Sequence, residues 1–179
     1  TREYYTLPRA SHFSTLIDPY IEDTQTTPVL MASTIAPVLI NGTFTGICGV
    51  DVTLADLDRI ADDTSLYEGR GKMIIISHDG TIAGVTGDAD LVGKPFESIA
   101  PLLGVTPDKL TMNLTDSSKK TFNAGDYMGV ISPVIVGDPD RQWSVMVIVP
   151  TAVISEGAIT LTTILILFGI VMSAGGLFL

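Results

Sequence analysis

The sequence predicts an α+β protein made of two strand-rich lobes joined by a helix and followed by a helix that spans a membrane. Three observations carry this expectation. Asn41-Gly42 divides two long apolar runs, a second series of β patterns begins near residue 72, and every charged residue lies at or before Glu156, so that the last 23 residues, 157–179, hold none. With 179 residues, 46% of them hydrophobic, the chain can build one large core or two small ones.

Residues 28–54 read as a β-hairpin, because both central residues of a type I′ turn need positive φ and Asn-Gly supplies them at least cost. A two-residue turn there sets Asp51 opposite Ala32, Gly49 opposite Thr34 and Ile47 opposite Ala36. Since side chains alternate across a strand, Ala32, Thr34, Ala36, Gly49 and Asp51 then share one face, a small-residue floor with a carboxylate at its end. The other face, with Ser33, Ile35, Leu39, Phe44, Cys48 and Val50, reads as core. Pro37 has no N–H to give the ladder and marks a place where the register can shift. A shift by an odd number of residues would send Asp51 to the opposite face.

Thr53-Leu-Ala-Asp56 has the form of a capping box with Asp in place of Glu or Gln, opening a linker helix that runs to about Ser65. The second lobe follows: a loop at 68–71, a strand at 72–77, an Asp79-Gly80 turn and a strand at 81–85. A short helix is expected at 95–103 and further strands at 109–114, 126–136 and 142–149.

The 23 uncharged residues of 157–179 exceed the roughly 20 a helix needs to cross a ~30 Å hydrocarbon core. A buried core helix is the competing reading, disfavoured because uncharged runs of this length are rare in soluble folds. A cleaved signal peptide would sit at the other end of the chain. The expected organisation is 1–60 for the first lobe and linker helix, 61–150 for the second lobe, and 151–179 for the membrane helix. The abrupt start at Thr1 and stop at Leu179 suggest a piece of a longer protein.

Composition excludes several functions. A formal charge of −10 without a basic stripe argues against nucleic acid, whose phosphates need neutralising, and fits an exported domain. Cys48 is the single cysteine, which rules out an intrachain disulfide and a zinc site built on a cysteine cluster; it lies in the apolar run 44–52 and is expected to pack there. No G-x-S-x-G and no glycine-rich phosphate loop occurs. His78-Asp79-Gly80 reads as a turn with His78 exposed, and His12 has no partner at a recognisable spacing. No catalytic residue, metal or cofactor is therefore expected.

Four stretches carry a resemblance: Arg2-Glu-Tyr-Tyr5, Asp18-Pro-Tyr20, Gly46-Ile-Cys-Gly-Val-Asp51-Val, and the pair Ile76-Ser-His-Asp-Gly-Thr-Ile82 with Leu91-Val-Gly-Lys94, closed by Trp143-Ser-Val and Val149-Pro150. In this order the chain resembles the C-terminal two-thirds of a double-Cache (dCache) sensor domain, two PAS-like antiparallel-sheet lobes stacked on a membrane. The resemblance implies the periplasmic ectodomain of an inner-membrane receptor, with residues 1–150 extracytoplasmic and dimerisation through helices. The receptor would be a methyl-accepting chemotaxis protein, a sensor histidine kinase or a membrane-bound cyclic-dinucleotide enzyme. An anchored domain without a small ligand is the alternative from another class.

Members of that family that sense amino acids show a Tyr, then Arg-x-Trp-Tyr, a Tyr in a Pro-Tyr pair, an Asp two residues later, and an Asp at the end of the last distal strand. Carried over, Arg2, Tyr5, Tyr20 and Asp51 match, while Tyr4 stands for the Trp and Glu22 for the first Asp. The chemistry stands without the family name. An α-amino acid presents a carboxylate and an ammonium, which a guanidinium fork and a carboxylate meet, so Arg2 and Asp51 form the expected pair. Tyr4, Tyr5 and Tyr20 add hydroxyls and an aromatic face for the ammonium. The expected ligand is a small carboxylate, with an amino acid first.

Overall fold

In the computed structural model the residues described are 3–23, 27–106 and 118–156; the strand expected at 109–114 and the membrane helix expected at 157–179 lie outside them, as does Arg2. Among the described residues no helix is long and apolar enough to cross a membrane. The predicted α+β class of two antiparallel sheets is observed.

The first sheet has three strands in the order β1 (Thr15–Glu22), β2 (Val29–Ile40), β3 (Thr43–Thr53). Helix α1 (Glu3–Ser11) precedes it and ends where His12 turns to a positive φ of 59° and its N–H returns to the Pro8 carbonyl at 3.0 Å. Asn41 (φ 49°) and Gly42 (φ 78°) make the expected two-residue turn, with Ile40 opposite Thr43 and Leu39 opposite Phe44.

Beyond that turn the register departs from expectation. A bulge between Val38 and Leu39 leaves Thr45 as the extra residue of β3, and its hydroxyl donates to the Val38 carbonyl at 2.9 Å. Asp51 therefore pairs with Ser33 instead of Ala32, Gly49 with Ile35 instead of Thr34, and Ile47 with Pro37 instead of Ala36. The bulge lies next to Pro37, the anticipated weak point, but on the opposite strand. The small-residue floor of Ala32, Thr34 and Ala36 is thus separated from Asp51.

Helix α2 (Leu54–Asp63) starts as predicted: Thr53 Oγ1 accepts the Asp56 N–H at 3.1 Å and donates to the Asp56 carboxylate at 2.7 Å. It fastens the first sheet to the second, whose order is β5 (Ile82–Val85), β4 (Lys72–Ile76), β8 (Trp143–Pro150), β7 (Tyr127–Val134), β6 (Lys120–Ala124). The buried Asp58 carboxylate accepts the Val85 N–H at 2.9 Å, Asp62 accepts the Gly87 N–H at 2.7 Å, and Thr86 donates to the Ala61 carbonyl at 2.9 Å. Gly84 permits this approach, because a Cβ there would stand 2.8 Å from the Leu57 carbonyl oxygen.

Alternation sorts the second sheet into two cores. Ile74, Ile76, Met146 and Ile148 face one side and are covered by Phe96, Ile99 and Leu103; the helix expected there takes the form of a 3₁₀ turn at Phe96–Ile99 followed by further turns. Trp143 and Ala83 face the other side and pack with Ala32 and Leu54 of the first lobe. A cavity of about 210 Å³ at this contact is lined by Leu16, Ala32, Thr34, Val52, Ile75 and Trp143 among others, so the Ala32 face looks at the second lobe. Cys48 and Val50 lie past the edge of that contact and are exposed, which corrects the packed position expected for Cys48.

Candidate functional site

Helix α1 lies against the first sheet on the face that holds Ser33, Ile35, Phe44, Gly49 and Asp51. Between them is a recess of about 360 Å³ lined by Tyr4, Tyr20, Glu22, Ser33, Ile35, Ile47, Gly49 and Asp51. The structure thus brings together four of the residues singled out from the sequence, Tyr4, Tyr20, Glu22 and Asp51. Tyr5 is not among the lining residues; its ring meets Phe44 edge-on, with centroids 5.5 Å apart at 84°, and holds α1 to the sheet.

Ser33, which the sequence did not single out, organises the recess. Its hydroxyl donates to Asp51 Oδ1 at 2.6 Å and lies 2.9 Å from the Tyr20 hydroxyl. A serine has one proton to give. Tyr20 must therefore donate to Ser33, and the chain runs Tyr20 to Ser33 to Asp51. The bulge at Thr45 produces this contact by bringing Ser33 opposite Asp51. Gly49 keeps the floor low, since a Cβ there would collide with Ile35 Cδ1 and stand 2.9 Å from the Thr34 carbonyl oxygen.

A second recess of about 650 Å³ adjoins the first and shares Tyr4, Tyr20 and Glu22 with it. Its far wall is the second lobe, contributing His78, Asp79 and Arg141. Asp18 spans the boundary. One carboxylate oxygen accepts the N–H of His78 at 2.9 Å and of Asp79 at 3.4 Å, and the other pairs with Arg141 at 2.6 Å. Both side chains of the ion pair are mostly buried, at 14% and 18% exposed.

Burial, together with the Asp79 charge, pushes the Asp18 carboxyl above its ordinary 3.8, against the opposing pull of Arg141 and the Asp79 and His78 groups. Burial also acts upward on Asp79, but hydrogen bonds from the Ser77 hydroxyl and Thr81 outweigh it and hold that carboxyl below 3.8. His78 is half-buried, not exposed as expected, because its turn docks on Asp18. Asp18, although part of the Asp18-Pro-Tyr20 stretch, and Arg141 and Ser33 are given no role by the sequence: each acquires its partner from a segment distant along the chain. Among the described residues no group of three or more His, Cys, Asp or Glu is placed to hold a metal ion.

Solved sensor domains of receptors share this fold of two antiparallel sheets. No family model matches the chain. It is 28% identical over 160 residues to the methyl-accepting chemotaxis protein TlpQ of Pseudomonas aeruginosa, a match covering 88% of this chain and 22% of that protein. Among solved structures, the extracellular domain of the histidine kinase mmHK1S-Z3 matches with 24% identity and a TM-score of 0.68, over 90% of this chain and 58% of that one. The ligand-binding domain of the Pseudomonas fluorescens chemoreceptor CtaA, in complex with L-serine, matches with 24% identity and a TM-score of 0.54, over 84% of this chain and 61% of that one. That of the Pseudomonas aeruginosa PAO1 amino acid chemoreceptor PctC, with GABA, gives 21% identity and 0.54, over 83% and 61%. The dCache resemblance read from the sequence agrees with these neighbours at the level of fold. The chain spans about a fifth of TlpQ and somewhat more than half of the solved domains.

Proposed function

We propose that this chain is the extracytoplasmic sensor domain of a transmembrane chemoreceptor, that it binds a small amino-bearing carboxylate in the recess of its first lobe, and that it performs no catalysis of its own. The observation that carries this reading is the hydrogen-bonded chain Tyr20–Ser33–Asp51 in a recess of about 360 Å³, within the range of small-molecule sites. A carboxylate whose neighbours are hydroxyls and aromatic rings suits an ammonium group. Asp51 takes that role, with Glu22 beside it and Tyr4 and Tyr20 as walls. Arg2 is assigned the ligand carboxylate on the strength of the sequence pattern, and Tyr5 the support of α1. The organisation 1–60, 61–150 and 151–179, with the last crossing the membrane and pairing with its copy in a homodimer, completes the reading. That CtaA and PctC were solved with L-serine and GABA supports an amino acid as ligand.

The direct measurement is thermal unfolding of the receptor's sensor region across a panel of amino acids, amines and organic acids. A ligand at 100 times its Kd should stabilise the domain by about 2.7 kcal/mol. Asp51→Ala should abolish the response to amino acids, with the unliganded stability lowered by no more than the loss of the Ser33 hydrogen bond, about 1 kcal/mol. If only acids lacking an amino group shift the wild type, the role given to Asp51 is wrong. The larger TM-score to a histidine kinase ectodomain favours one second reading, in which the same sensor drives a kinase. Phosphotransfer by the intact receptor distinguishes the two.

A further inference from the structure

Asp18 sits in the irregular stretch of β1 between Ile17 and Tyr20, where the pairing with β2 slips. Two residues on, Tyr20 points its hydroxyl to Ser33 in the recess. Asp18 itself reaches across to the second lobe, which it meets at the β4–β5 turn and at Arg141. Arg141 is two residues from the start of β8, the central strand of the second sheet, and β8 runs straight into the helical segment 151–156. A short path, covalent except at the Asp18–Arg141 ion pair, therefore joins the recess to the strand that leaves the domain.

From this geometry we infer that Asp18 is the positioning residue through which the state of the Tyr20–Ser33–Asp51 recess is passed to the second sheet and on to β8. The charge and burial at this junction suit a coupling element better than a passive tie. Asp18 faces Arg141 and, more weakly, His78, but also Asp79, with Glu3 and Glu22 on the same recess wall, and its charged form is disfavoured by burial. Desolvation offsets much of the attraction in a buried ion pair, so its net contribution is small and sensitive to any change in the geometry that pairs it. A displacement of Tyr20 is thus able to change it. β1 has its register slip at this place, and β4–β5 has one between Ile75 and Ile76, beside the turn that Asp18 meets.

The inference rests on the recess being the sensing site, but it can be measured without a ligand. Amide hydrogen exchange is recorded on the full receptor chain in lipid nanodiscs for wild type, Ser33→Ala, Asp18→Ala and the double variant, with each rate divided by its intrinsic rate. Ser33→Ala should raise exchange at the His78 and Asp79 amides by about fivefold or more, the lower end of usual coupling strengths, and should have no effect there in the Asp18→Ala background. Protection at Met146 and Ile148 reports that the second core is intact. Should Asp18→Ala strip protection from Ala32 and Ile35, Arg141→Gln cuts the same junction from the other side with the same loss of coupling expected. An unchanged rate at His78 and Asp79 in Ser33→Ala, or an equal change with and without the junction, overturns the inference. A flat cycle in a receptor that does bind amino acids would remove Asp18 from the pathway and leave the recess standing; a coupled cycle with no ligand found would do the reverse.

Discussion

At the scale of single residues, Ser33 and Gly49 define the recess. Ser33→Ala removes two hydrogen bonds in a partly buried place, a loss of about 1–3 kcal/mol, and frees Asp51 from its fixed orientation, so ligand affinity should fall even where the fold survives. Chemical denaturation and titration calorimetry on the same variant separate the two effects. Gly49→Ala forces its methyl into Ile35 and should destabilise by about 1–3 kcal/mol while narrowing the floor. The two carboxylates of the junction give opposite pH behaviour. Asp18 in the folded protein holds its proton above its unfolded value, so its contribution falls as pH rises from 3.8 through the raised value. Asp79 is depressed, so its contribution is present above 3.8 and is lost as pH falls through the lowered value. Unfolding of wild type and Asp18→Asn between pH 4 and about 7 should show the difference between them shrinking or reversing as pH rises; a constant difference would refute the assignment. Tyr20 and Asp51 were legible from their place in a recurring motif. Ser33 was not, because a serine in an apolar run gains meaning only from what the register sets opposite it.

At the scale of elements, the Asn41-Gly42 turn and the Thr53 cap were readable because each is decided by the local chain. Helix α1 and strand β1 were not. The helix is nine residues long with Pro8 inside it, and Asp18-Pro19 interrupts the β pattern, so tertiary contacts outweigh propensity in both. Strand β6, Lys120–Ala124, is an edge strand with little apolar pattern. The bulge at Thr45 escaped for a similar reason: no local feature tells which strand will carry an extra residue when its neighbour holds a proline. It makes a direct prediction. Deleting Thr45 takes out the extra residue and leaves Ser33 opposite Asp51 in an unbulged ladder, so the variant should keep Asp51 on the recess face and keep its ligand response. Loss of ligand binding in a folded variant would show that the bulge itself, and not the register alone, shapes the recess.

At the scale of the molecule, the cores and the interlobe helix set stability. Ile148→Ala opens the second core and should cost about 2–5 kcal/mol, read from chemical denaturation. Asp58→Ala leaves the buried Val85 N–H without its acceptor, at about 1–3 kcal/mol, and loosens α2 from β5. Among the described residues, polar contacts join the lobes where α2 runs along the end of β5, where Asp18 meets the β4–β5 turn, and at the Ser14 carbonyl, which accepts the Asp138 N–H at 2.8 Å where Gly137 leaves room for it. Beside the apolar packing of Trp143 and Ala83 with Ala32 and Leu54, loosening the contact at Asp18 leaves the ties of α2 to β5 and the Ser14–Asp138 contact in place. A tilt of the lobes then pivots on those remaining ties, whatever molecule fills the recess.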